Sequence, residues 1–379
     1  MKLETFALER LQSIWENRVE LNVSESGVHP LRVEELVDDA ASLAALMTQG
    51  LGYSQTNGTV ELRTAIAAMY AGATPDHVEV TNGGSEANCL ALMHLVEPGD
   101  EVVVMTPNYM QVLGLASGLG AIVRKWPLVA GARWAADLDA LGQLVGARTR
   151  MILICNPNNP TGARLTAPEL DAIGRVADRA GAWVLSDEIY RGAELDGIET
   201  ATMWGRAARV IVTSGLSKAY GLPGLRIGWV AGPLETIDAL WGVHDYTSIA
   251  PGAISDRLAR LALAPARRAR LLARTRAIVR ANYPVLRDWI AARTPLLSHI
   301  APEAGAIALV RYQHAINSSR LIERLRDEAS VLVVPGDYFD MDGYLRIGFG
   351  SDAAHLIASL DRIGAMLDTI PAGAAVDAR

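Results

Sequence analysis

The chain has 379 residues, half of them hydrophobic and a fifth charged, which is enough to bury a large core in roughly two domains. Its formal net charge of −7 leaves no basic footprint for nucleic acid or an anionic membrane surface. The opening MKLETFALERLQ lacks the basic and apolar stretches of a secretory signal, and no apolar run approaches a bilayer span, so a cytoplasmic location is expected.

Ala7, Leu11, Ile14 and Trp15 recur on one face of a helix predicted over residues 3–18. An extended stretch over 19–23 runs into Ser24-Glu25-Ser26-Gly27-Val28-His29-Pro30, whose proline bars a helical end. Beyond about residue 60, helices alternate with short apolar runs. These runs predict strands at 77–81, 101–105, 151–155, 183–186, 209–213 and 228–231, with helices over 85–96, 167–180 and 235–243 between most of them. The alternation implies an α/β fold, with a mainly parallel sheet between helices. An Arg- and Ala-rich helical region is predicted over 251–294. Strands at 306–311, 331–334 and 344–349, with helices at 318–328 and 353–367, then suit a smaller α+β domain. The expected division is a large domain over 41–275 and a small one built from 1–40 and 276–379. Residues 371–379 read as a frayed tail. Cys89 and Cys155 lie in apolar segments without metal-ligand spacing, so free thiols and no metal are expected.

Several predicted strands end in polar or Gly-rich clusters, and in open α/β sheets ligands bind beyond the carboxyl ends of the strands. The clusters are Thr81-Asn82-Gly83-Gly84-Ser85-Glu86-Ala87, Pro107-Asn108-Tyr109, Asn156-Pro157-Asn158-Asn159-Pro160-Thr161-Gly162, Ser186-Asp187-Glu188-Ile189-Tyr190 and Ser214-Gly215-Leu216-Ser217-Lys218. Each has an ordinary reading by itself. Gly83-Gly84-Ser85 is a strand-to-helix turn, or a helix start whose N–H groups hold a phosphate. Asp187 is a helix cap and Lys218 a solvated lysine. Lys218, however, follows an apolar strand and precedes Gly221-Leu222-Pro223-Gly224, an irregular turn at the edge of the sheet.

In this order and combination the clusters resemble the pyridoxal-5′-phosphate (PLP)-dependent aminotransferases of class I/II and fold type I, over about residues 19–350. The resemblance implies a PLP cofactor and carries roles onto matching positions. Lys218, in Ser-Lys-Ala-Tyr-Gly-Leu-Pro-Gly-Leu-Arg, matches the lysine that forms a Schiff base with the cofactor, acting as nucleophile and later as base. Arg226 matches the arginine that pairs with the cofactor phosphate, and Gly84 and Ser85 the phosphate-binding helix start. Asp187 matches the carboxylate that keeps the pyridine nitrogen protonated, making the ring an electron sink. Asn159 and Tyr190 match donors to the phenolic oxygen, and Tyr109 the ring stacked on the pyridine. Arg346, in Tyr-Leu-Arg-Ile-Gly-Phe-Gly, matches the clamp on the substrate α-carboxylate; its plain alternative is an exposed strand arginine. Tyr53 matches a tyrosine that reaches the neighbouring subunit's phosphate, implying a homodimer with shared active sites.

Two features depart from that pattern. Gly215 stands where a serine phosphate ligand is common, which leaves the contact to Ser217 or Ser214, with Ser217 the expectation. The polar segment around Glu25, Gly27 and His29 replaces an apolar one, and is somewhat similar to capreomycidine synthases and arginine-oxidising PLP enzymes. Glu25, Gly27 and His29 are therefore candidates for contact with a polar or basic substrate side chain, with loop residues as the alternative. The expected activity is amino transfer between an L-amino acid and a 2-oxo acid. The alternative is a lyase, cyclase, decarboxylase or oxidase using the same carbanion. A PLP-sensing transcriptional regulator would need a DNA-binding module, and the first twenty or so residues offer none.

Overall fold

The computed structural model describes residues 2–373; residues 374–379 of the expected tail lie outside the described residues. Runs of Val, Ile and Leu set the centre of the fold. In Glu101–Thr106, Val103 and Met105 pack on one face and Val102 and Val104 on the other, all without solvent contact. Thr149–Cys155 repeats this, with Ile152 and Ile154 opposed to Met151 and Leu153. Strands buried on both faces require helical layers on both sides.

After the two-residue β1 (Leu21–Asn22), one sheet takes the next eight strands: β2 (Val78–Thr81), β3 (Glu101–Thr106), β4 (Ile122–Val129), β5 (Ala135–Ala136), β6 (Thr149–Cys155), β7 (Trp183–Asp187), β8 (Val210–Gly215) and β9 (Gly228–Ala231). Their order is β2-β9-β8-β7-β6-β3-β4-β5. β4, β3, β6, β7 and β8 are parallel, β9 is antiparallel to β8 and β2, and β5 folds back on β4. The carboxyl ends of β2, β3, β6, β7 and β8 thus share one edge, where β9 begins.

The remaining strands are β10 (Leu297–His299), β11 (Ile307–Tyr312), β12 (Val331–Leu332), β13 (Val334–Pro335) and β14 (Tyr344–Gly348). β10, β11, β14 and β13 make an antiparallel sheet in that order, while β12 pairs in parallel with β1. Leu11, Val23 and Val28 from the N-terminal arm share a core with Val310, Leu345 and Ile347 of this sheet. Helix Pro265–Ala291 spans both cores: Leu271 and Leu272 pack with the central sheet, and Val279, Leu286 and Ile290 with the second.

Four elements differ from the sequence expectation. β4 carries Arg124, Lys125 and Pro127, which mask a strand pattern; the strand lies near the sheet edge and is largely exposed, where proline is tolerated. The single strand expected over 331–334 is divided between two sheets. The region over 251–294 forms two helices, Ala253–Leu263 and Pro265–Ala291, because Pro265 holds Ala264 in an extended conformation (ψ 133°). The N-terminal helix is Ala7–Trp15 and is rotated: Leu8, Leu11 and Gln12 are buried, whereas Ala7 and Ile14 are exposed. Leu8 seats beside Val334 and Phe339, a tertiary contact that the local pattern does not reveal.

The antiparallel β9 brings Gly228 between Thr81 and Gly215, and a Cβ there would collide with the backbone of Gly83 and Gly84. Gly228→Ala is expected to lose about 1–3 kcal/mol in denaturant unfolding, as overpacked sites do. Gly142, in helix Leu138–Leu144 with nothing within 4 Å of an added Cβ, should gain about 0.4–1 kcal/mol as alanine.

Candidate active site

β2 ends at Thr81, and the turn Asn82-Gly83 opens helix Gly84–Leu95. Gly83 has φ 92°, and a side chain there would strike the guanidinium of Arg226, so only glycine fits. Arg226 follows the short turn Pro223–Leu225 at φ 51°, and its Nη1 donates to Pro223 O at 3.1 Å. No carboxylate pairs with it among the described residues. A helix start facing an unpaired guanidinium is a cradle for an anion.

The other strand ends converge on the same cavity, about 290 Å³ in volume, which Gly84 and Ser85 also line. Tyr109 enters after β3, Asn159 after β6, Asp187 and Tyr190 from the end of β7, and Ser217 and Lys218 after β8. Arg346 reaches it from β14. Asp187 is buried; Asn88 Nδ2 donates to Oδ2 at 3.0 Å and Ile189 N–H to Oδ1 at 3.1 Å. Burial raises the Asp187 pKa against those two hydrogen bonds, so a protonated partner would relieve its desolvated charge. Arg346, 2 % exposed, donates from Nη1 to Asn159 Oδ1 at 3.0 Å and from Nη2 to Ser24 O at 2.5 Å. Its Nε is buried without a partner. The exposed-strand alternative for Arg346 is therefore excluded.

Tyr190 donates its hydroxyl proton to Ser26 Oγ (2.8 Å) and Tyr109 to Glu9 Oε1 (2.8 Å), while Phe6 meets the Tyr109 ring edge-on at 5.1 Å. Lys218 Nζ lies 3.5 Å from Glu25 Oε2, and its positive charge is the largest influence lowering the Glu25 pKa. Ser217 lines the cavity, whereas Ser214 turns its hydroxyl to Glu188 O at 3.2 Å.

Three expected residues stand apart. Gly27 packs beside the Lys218 side chain without lining the cavity. His29 is turned outward, where Arg274 Nη2 contacts its Nδ1 at 2.9 Å and its carbonyl at 3.0 Å. Tyr53 is 87 % exposed, next to Ala250–Ser255, and does not line the cavity of its own chain. Conversely, Glu9, Gln12, Ser13 and Glu16 line the cavity, and sequence reasoning overlooked them. Their spacing is a polar helical stripe, and it became visible only once the rotation of helix Ala7–Trp15 was known.

Residues 20–363 match the family described as aminotransferase class I and II. The chain belongs to this family. It is accordingly a PLP-dependent transferase of fold type I. It is 33 % identical to a capreomycidine synthase of Streptomyces vinaceus, over 92 % of this chain and 90 % of that one. A PLP-dependent aminotransferase of Streptococcus suis superposes with a TM-score of 0.92 at 33 % identity, covering 98 % and 99 % of the two chains. The PLP-dependent cyclase OrfR superposes with a TM-score of 0.89 at 28 % identity, covering 97 % and 98 %. The cavity of this aminotransferase-family chain fits the cofactor on its own terms. It has a guanidinium without a carboxylate partner at a helix start for a phosphate, a buried carboxylate without a cation partner among the described residues for a protonated ring nitrogen, and the Lys218 amine in the same lining.

A buried charge network stands behind the helix start. Glu86 Oε2 accepts from Asn82 N–H at 2.6 Å and from the Ser248 hydroxyl at 2.9 Å. His244, fully buried, meets Glu79 Oε1 through Nδ1 at 2.6 Å and Ser248 Oγ through Nε2 at 2.9 Å. Burial opposes charge on His244, but hydrogen bonds to Glu79 and Glu86 outweigh it and raise the pKa to about 9. Burial likewise raises Glu79 to about 7. Both folded-state values lie above the ordinary ones, so the stability they contribute is full at low pH. It is lost as pH rises through about 7 for Glu79 and about 9 for His244. Thermal unfolding should therefore move to lower temperature as pH rises from each group's ordinary value to about 7 for Glu79 and about 9 for His244, and His244→Gln should flatten the upper part of that slope while losing roughly 3–5 kcal/mol.

Proposed function

We propose that the chain catalyses amino transfer between an L-amino acid and a 2-oxo acid, with Lys218 as the covalent anchor of the cofactor and as the proton carrier. The observation that carries this is the convergence of Lys218, Asp187, Arg226 and Arg346 on one cavity from four separate strand ends and turns. When bound, PLP supplies an aldehyde carbon for amines and an electron-poor ring that stabilises negative charge at the substrate Cα. Arg226, Gly84, Ser85 and Ser217 would hold the phosphate at the helix start, with Tyr53 reaching it from a second copy of the chain. Asp187 would keep the ring nitrogen protonated, Tyr109 would supply an aromatic face for the ring, and Asn159 and, with its proton turned from Ser26, Tyr190 would donate to its phenolic oxygen. Arg346 grips the substrate α-carboxylate, for which its free Nε–H is available. The Lys218 amine would take the proton from the substrate Cα.

The homodimer of this proposal is supported by surface chemistry. Helix Ala40–Met47, of sequence AASLAALM, buries none of its residues in its own chain. Leu43, Met47, Leu51 and Tyr53 are all at least half exposed. An apolar patch of this kind suits a second copy, and it includes the residue expected to reach across. A cytoplasmic location accords with two unpaired cysteines. Among the described residues no helix is long and apolar enough to cross a membrane.

A second reading, cyclisation or elimination from the same carbanion, draws support from the likeness to a capreomycidine synthase and a cyclase. Product analysis separates the two. Amino transfer moves an isotopically labelled donor nitrogen into the acceptor amino acid, whereas the second reading leaves the acceptor unlabelled. Under either reading Lys218→Ala should lower turnover at least about a hundredfold. The wild type should keep its cofactor absorbance through dialysis and the variant should lose it. Full activity in the variant would rule out the assignment.

A further inference from the structure

The cavity has a polar wall that neither the cofactor residues nor Arg346 account for. Glu9, Gln12, Ser13 and Glu16 stand on one face of the N-terminal helix and the residue that follows it, and Glu25 joins them from the adjoining loop. Three of these five are carboxylates. Glu25 meets Lys218 at 3.5 Å, and Glu9 accepts a hydrogen bond from the Tyr109 hydroxyl at 2.8 Å. The Glu16 carboxylate has no hydrogen-bond or ion-pair partner among the described residues. Glu16 also feels its neighbours: burial first, then the charges of Glu25 and Glu9, raise its pKa.

The acidic wall does not stand alone. It shares the cavity with Arg346, 2 % exposed, whose Nε is buried and unpartnered and so invites an anion. A ligand that satisfies both carries a carboxylate for Arg346 and a positive charge for the glutamates. A dicarboxylate would satisfy Arg346 but bring its second negative charge against three glutamates, an unfavourable like-charge contact. A neutral side chain would leave the repulsion of Glu16 by Glu25 and Glu9 unrelieved.

We propose that the substrate is an L-α-amino acid with a cationic side chain, an amine or a guanidine, selected by Glu9, Glu16 and Glu25. This rests on the reading of the cavity as a PLP site with Arg346 at the α-carboxylate. Gln12 and Ser13, on the same helical face, supply neutral hydrogen-bonding groups between the acids.

The test uses the PLP-loaded enzyme and pairs of ligands that differ chiefly in charge: L-arginine against L-citrulline, L-lysine against L-norleucine, with L-glutamate as the anionic control. Binding is read at equilibrium, by calorimetry and by the change in cofactor absorbance, rather than as turnover. Arginine or lysine should bind about tenfold or more tightly than its neutral counterpart, the scale of a hydrogen-bonded charge, and glutamate most weakly. The preference should shrink several-fold in Glu16→Gln and with added salt. Equal binding within both pairs, or glutamate binding tightest, overturns the proposal, as does a loaded enzyme that responds to none of the five. Failure of the underlying reading looks different: the chain would then not retain PLP on Lys218 at all.

Discussion

Arg346 is a buried cation whose partners come from distant stretches of chain, and the alignment of the active-site walls depends on it. Its Nη1 holds Asn159 beyond β6, while its Nη2 holds the carbonyl of Ser24 in the N-terminal segment. Ser24 in turn accepts from Gln12 Nε2 through its carbonyl (3.2 Å) and its hydroxyl (3.1 Å), which fixes the N-terminal helix over the cavity. Neither partner of Arg346 is a carboxylate. Its hydrogen bonds go to neutral dipoles only, with the charges of Glu25 and Glu9 acting from further off, and Nε is left without an acceptor at roughly 1–3 kcal/mol. Under the proposed function a substrate carboxylate would remove that residual deficit, so a structural role and a ligand-binding role would coincide in one side chain.

Backbone hydrogen bonds also hold the N-terminal segment against β14 and the residues that follow it. Gly348 N–H donates to Val23 O at 2.8 Å and His29 N–H to Gly350 O at 2.7 Å. Side chains at Gly348 or Gly350 would collide with the carbonyls of Glu25 and Gly27. This close approach lets Ser26 reach Tyr190 and Glu25 reach Lys218. It also turns His29 outward: once its N–H is committed to Gly350, the ring lies beside Arg274 rather than in the cavity.

What the sequence disclosed follows from where each side chain's position is decided. Strands with both faces buried read as continuous apolar runs, and the residues just beyond them fall at one edge by topology alone; Asp187 and Lys218 were legible for this reason. The order of these clusters also fixed the family. Glu9 and Glu16 were not legible, because their direction depends on a rotation of helix Ala7–Trp15 set by the seat of Leu8 beside Val334 and Phe339, more than three hundred residues away. β4 was hidden by Pro127 and two basic residues, which only its near-edge position makes tolerable.

The two kinds of active-site residue are therefore held with unequal rigidity. Lys218, Asp187 and Asn159 follow directly from strands whose side chains are locked between two helical layers, so their relative positions are fixed by the core. Glu9, Gln12, Ser13 and Glu16 sit on a nine-residue helix and the residue after it, tied to the cavity mainly through Gln12, Leu8 and Tyr109. Under the proposed function, a change on that helix would alter which side chain the cavity accepts without disturbing the geometry around Lys218. Activation at Cα and choice of substrate would then be separable properties. The first would belong to the central sheet and the second to a short segment packed across its edge.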